Sequence, residues 1–194
     1  MENYLAVSPI PGMVLWIILY VSDYYLTLIS ARGFREVDVF RFEGSLELTP
    51  QFQKDINEQN HLSKRHISYL IIYTLVVLIF WFLAVWYLKA DWLYLFYLGA
   101  FLLLEVAVHF RHFRNLRQIS LLKKIGGVEG AVIFRKRFSY MLSAFDLYSF
   151  AALFLLVSVL TFSPFFLGGM LTCFATGYRH MSYARREISQ LDLK

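Results

Sequence analysis

Five long apolar runs dominate the chain, at about 10–31, 67–88, 92–110, 138–162 and 164–181. Crossing the hydrocarbon core of a bilayer takes about 20 consecutive apolar residues in a helix, because only a helix satisfies its own backbone polar groups there. With 58% hydrophobic and 19% aromatic residues against 17% charged, the composition is too apolar for an ordinary soluble domain. The runs predict an all-α integral membrane protein: a single membrane domain, a bundle of five transmembrane helices.

Basic residues orient such a bundle, since cytoplasmic loops collect Lys and Arg while acids count for little. Six lie between the first two runs, eight between the third and fourth, and four at the C-terminus from Arg179 onward, leaving only Lys89 elsewhere. A five-span chain with its N-terminus outside and its C-terminus inside therefore places 18 of 19 on the cytoplasmic side. Trp81, Trp86, Tyr87, Trp92 and Tyr94 gather around the outer turn, as an interfacial aromatic belt does. The N-terminal MENYLAVSPIPG has no Lys or Arg ahead of the first run, so that run reads as a retained helix rather than a secretory leader. A multi-pass plasma-membrane protein is the expected class.

Two connections are nearly absent. Lys89-Ala90-Asp91 joins the second and third runs, and Ser163-Pro164 joins the fourth and fifth; proline is suited to a first helical position. Both links predict antiparallel helical hairpins. Residues 32–66 form a cytoplasmic cap whose six acids offset its six bases. Within it, EVDVFRFEGSLEL (36–48) reads as extended or as a weak hairpin about Gly44-Ser45, and Thr49-Pro50 opens a short amphipathic helix carrying Phe52 and Ile56. In the basic loop 111–137, the third helix is expected to continue until Gly126-Gly127 stops it, followed by a short extended segment.

Ionisable side chains within spans are costly and mark partners or cavities. Asp23 belongs to a stripe with Tyr20, Thr27 and Ser30; Glu105 shares a helical face with His109 and His112; and Asp146 continues a line from Ser139 and Ser143. Counted from the nearest boundary arginine, the three acids lie at depths of roughly 9 to 14 Å at the helical rise. Thr172 and Thr176 lie at a comparable level. These spacings predict a polar, cytoplasm-facing cavity lined by spans one, three, four and five, with Asp23, Glu105, His109, Asp146, Thr172 and Thr176 as its ion or solute site, and with span two against lipid. The plainer reading is that the acids pair helices together. Arg111, Arg114, Arg117 and Arg179 are expected to contact anionic headgroups or another anion, although arginines at span ends also serve as interfacial anchors.

No nucleophile elbow, zinc-protease motif, paired-cysteine motif or phosphate-binding loop is present. The histidines lack the spacing of a metal site, so no metal, cofactor or catalytic residue is expected, and the positive balance points to lipid headgroups rather than nucleic acid. The expected function is a small transporter or channel-like protein for protons, cations or a small polar solute. Five helices enclose a cavity poorly, so a homo-oligomer or larger membrane complex is expected. The alternatives are a nonenzymatic scaffold or accessory subunit, and a lipid-modifying enzyme.

Overall fold

The computed structural model describes residues 2–126 and 129–191, with side chains within 4–126 and 129–186. A short helix α1 (Glu2–Val7) precedes α2 (Pro9–Val37); α3 (Gln53–Asn57) lies in the first long loop; and α4 (Lys64–Trp81) widens into a π-helical last turn, Phe82–Tyr87. Then come α5 (Asp91–Ile125), α6 (Lys136–Thr161) and α7 (Pro164–Leu191). α2, α4 with its last turn, α5 and α6 are each long and apolar enough to cross a membrane. α7 is 28 residues long but more polar, and does not reach that hydropathy among the described residues.

The helix ends have local causes. Ser8 accepts a hydrogen bond from Ile10 N ahead of Pro9, and Ser63 accepts one from His66 N at the start of α4. Ser63 also donates to Asp55 Oδ2 at 2.6 Å, so one hydroxyl ties α4 to the loop before it. Ser63→Ala is expected to cost about 1 kcal/mol, read as a lower thermal midpoint of the purified protein in detergent. An unchanged midpoint would show that the loop holds α4 without this cap. α5 ends at Gly126, whose φ of 70° suits a residue without a side chain. Beyond α2, Asp38 takes a left-handed φ of 53°, and Arg41 clamps its carboxylate through Nε and Nη2. That bidentate contact holds the Asp38 carboxyl below its ordinary range.

Laterally the helices lie in the order α4, α2, α5, α7, α6. α6 and α7 form a closely packed hairpin, whereas α4 and α5, despite their tight link, meet mainly at their shared turn before α4 leans on α2. The predicted second hairpin is thus open, because α5 gives its faces to α2 and α7. Glycine makes the α5–α7 contact possible: a Cβ on Gly99 would strike the Phe165 carbonyl, and one on Gly168 the Phe96 carbonyl. Only 11% of the most apolar stretch of α4 is buried, so this helix presents most of its surface outward.

The hairpin end of the bundle holds an apolar core of Trp16, Val77, Ala84, Tyr94, Leu98 and Leu102. The other end carries the long loops, and here the extended reading of residues 36–48 holds at Phe40–Phe42 while the hairpin alternative is corrected. Residues 36–48 do not fold as a hairpin: α2 runs on to Val37, and β1 (Phe40–Phe42) pairs in parallel with β2 (Val132–Phe134) from the other loop. A parallel pair cannot close through a tight turn. The two loops meet because α2 and α5 emerge side by side, and stacked rings of Phe42 and Phe134, 5.2 Å apart, cover the pairing. The loop around α3 is fastened to the helices through Tyr24 Oη to Asn60 O, Tyr140 Oη to Leu48 O and Arg35 to Asn57 O, with Ile56 buried beside Tyr24, Leu28 and Ala31.

Candidate functional site

Polar residues that fall at one level on separate helices converge between the apolar core and the loop-bearing end. There the helices leave two adjoining cavities. The first, about 190 Å³, is lined by α2, α5 and α7 with single residues of α4 and α6, and is floored by the loop around α3. Three carboxylates face it, Asp23, Glu47 and Glu105, together with Arg111, Arg179, His66 and His180. Opposite charges thus share one small space in which water screens them little. The second cavity, about 260 Å³, lies between α2, α5, α6 and the strand pair; Phe34, Phe40, Phe42 and Phe134 form an aromatic wall, and Arg111, Arg114, Ser143 and Asp146 form part of a polar one. Thr27, Glu47, Leu48 and Arg111 line both cavities and form their common wall.

A hydrogen-bonded pair crosses that wall. His112 Nε2 lies 2.7 Å from Asp23 Oδ1 and 3.3 Å from Thr27 Oγ1, and the Thr27 hydroxyl donates to the Asp23 carbonyl at 2.9 Å. A carboxylate only accepts, and the Thr27 proton is already used, so Nε2 carries the imidazole proton. His112 is only 3% exposed, and its Nδ1 has no hydrogen-bond partner. His112 lines the aromatic cavity while Asp23 lines the other. Through Nε2 the imidazole is placed to exchange a proton with the carboxylate, while its Nδ1 is occluded in this structure.

One turn away, His109 is held at both nitrogens. Nδ1 donates to the Glu105 carbonyl at 2.7 Å, and Nε2 meets Ser22 Oγ at the same distance. It lines neither cavity. Glu105 itself lines the first cavity, and its Oε2 is occluded without a hydrogen-bond partner, as are Tyr20 Oη and His66 Nε2 on the same cavity. The His66 ring is sandwiched between Tyr20 and Tyr24, at centroid distances of 4.5 and 4.3 Å.

The other predicted residues divide by cavity. Asp146 lies on the aromatic cavity, paired with Arg114 at 2.9 Å, and does not join Asp23 and Glu105. Thr176 and Arg179 line the first cavity and also an outer groove along α7 that includes Thr172 and Phe96. Arg117 is exposed and lines neither cavity nor the groove. Sequence reasoning overlooked His66, which sits just outside an apolar run, and Glu47, one loop acid among six. Neither has a helical spacing that ties it to Asp23; folding back of the loop brings both to the cavity. Among the described residues, no group of three or more His, Cys, Asp or Glu side chains is arranged to hold a metal ion. No family model, curated protein or solved structure matches the chain.

Proposed function

We propose that this chain is a multi-pass plasma-membrane transporter that moves a proton, alone or with a cation or small polar solute, through the cavity holding Asp23 and Glu105. The observation that carries this reading is the Asp23–His112 contact, a hydrogen-bonded acid–imidazole pair with one member on each of two adjoining cavities. The apolar core at the hairpin end would then be the closed gate.

In this reading all five long helices cross the bilayer, with the N-terminus outside, the loop-bearing end in the cytoplasm, and anionic headgroups around its arginines. The lower hydropathy of α7 is no obstacle, because α7 lies between α5 and α6, where its small and polar residues meet protein. Contacts at both ends support a full crossing: Gly168 against Phe96 near the hairpin end, and His180 Nδ1 to Ser143 Oγ at 3.0 Å near the other. A homo-oligomer supplies the remaining walls of the conducting form. The scaffold alternative needs intramembrane acids left over for a partner's bases, yet Asp23 and Asp146 are both engaged within the chain, and Glu105, which has no salt-bridge partner among the described residues, has its Oε2 occluded inside the bundle. The enzyme alternative lacks a free base at His109, whose nitrogens are both occupied.

Single cysteines at positions 2, 90 and 190, in a background with Cys173→Ala, test the topology. Positions 2 and 90 are expected to react with an impermeant maleimide on intact cells, and 190 only after permeabilisation. Labelling of 190 but not 90 on intact cells would refute the orientation. For transport, proteoliposomes enclosing a pH-sensitive dye are expected to dissipate an imposed pH gradient faster than protein-free vesicles. Asp23→Asn and Glu105→Gln should each slow this at least about tenfold, the scale of removing a positioned proton-transfer group. Wild-type and variant vesicles indistinguishable from protein-free ones would end the reading.

A further inference from the structure

The aromatic cavity has a feature that proton movement does not use. Arg111 reaches Ser143 Oγ through Nη1 at 2.8 Å, a neutral acceptor, and among the described residues no carboxylate pairs with it. Its neighbour Arg114, by contrast, is neutralised by Asp146. A half-buried guanidinium hydrogen-bonded to one neutral partner keeps several N–H donors for an anion, and its planar fork suits a carboxylate or phosphate. Across the cavity, Phe34, Phe40, Phe42 and Phe134 present rings rather than polar groups. Those rings are already packed on one another, Phe34 on Phe42 at 5.3 Å and Phe40 on Phe134 at 5.4 Å, so the wall is preformed. A pocket with a mostly apolar lining and a few fixed polar groups is the usual form of a small-molecule site.

We infer that the cavity between the strand pair and α5 binds an amphipathic anion, its carboxylate or phosphate on Arg111 and its apolar body against the phenylalanine wall. The site takes a soluble organic acid or the anionic end of a lipid by the same chemistry. Ser139, Ser143, Asn115 and Gln118 add hydroxyls and amides to the polar side, which also carries the Glu47 carboxylate and the Arg114–Asp146 pair. Because Arg111 also lines the Asp23 cavity, an anion here would sit against the wall that the proton pair crosses. The inference concerns binding alone and stands whether or not the protein transports.

Isothermal titration calorimetry on the purified protein in detergent tests it with three probes: 4-phenylbutyrate, dioctanoyl phosphatidic acid and phenethylammonium. At least one of the two anions is expected to bind while the amine does not, and the anion that binds identifies the source. Arg111→Gln should weaken that binding at least about tenfold, the equivalent of one charge-assisted hydrogen bond, and Phe42→Ala should weaken it too. Arg111→Lys, which keeps the charge, should recover part. Each variant is first checked for the wild-type elution profile and melting temperature. A variant that fails this check is replaced by competition on the wild-type protein, in which inorganic phosphate should displace the bound anion and sodium chloride at equal ionic strength should not. No binding of either anion, equal binding of the amine, or binding unaffected by Arg111→Gln or by phosphate overturns the inference.

Discussion

Gly168→Leu should remove the α5–α7 interface and with it the folded bundle. A Cβ at Gly168 alone would overlap the Phe96 carbonyl and crowd Ala100 N, which are backbone atoms of α5 and cannot rotate aside. Relief requires the helices to part along their length, which would also strip Gly99 of its contact with Phe165 and Gly169 of its contact with Leu103. Overpacking in a well-filled core costs about 1–3 kcal/mol, and a backbone clash belongs at the top of that range or beyond. The measurement is size-exclusion chromatography and thermal melting in detergent, with Ala152→Leu on the exposed face of α6 as the control. The control should behave as wild type, while Gly168→Leu should aggregate or melt well below it. A normal profile for Gly168→Leu would mean that α7 is not seated against α5.

The second large effect concerns the pair in the cavity wall. His112→Ala leaves the Asp23 carboxylate without its only side-chain donor among the described residues, in a low-dielectric setting, and deletes a ring that is 3% exposed. Breaking one half of a buried pair costs about 3 kcal/mol. Asp23 is less enclosed than its partner, with 29% side-chain exposure, so hydration recovers part of this. A double-mutant cycle isolates the interaction: Asp23→Asn and His112→Ala, alone and together, compared by denaturant or thermal unfolding in detergent. A coupling of about 2 kcal/mol is expected. Additive effects would show that the two side chains merely lie side by side, which would also remove the basis for a relay between the cavities.

These expectations separate what is local in this protein from what is not. Hydropathy and helix-stop residues are local quantities, and they anticipated the long helices, the extension of α5 to Gly126 and the start of α7 at Pro164. Helical spacing also located polar stripes, because residues three and four apart share a face whatever surrounds the helix. It could not say which stripes meet. Asp23 and Asp146 look alike along the chain, yet one bonds a histidine and the other an arginine on different walls. His109 and His112 lie on one helical face, and only the rotation of α5 against α2 determined which of them meets a carboxylate.

The apolar runs, their length and the bias of basic residues to one side are written in the sequence, since each depends on a residue and its near neighbours. The parallel pairing of β1 with β2, the lateral order of the helices, the recruitment of His66 and Glu47, and the division of the polar interior into two cavities came only with tertiary structure. Each of these depends on contacts between segments far apart in the chain, such as the 89 residues from Asp23 to His112. Such contacts are chosen by packing the whole bundle, and no local pattern encodes them.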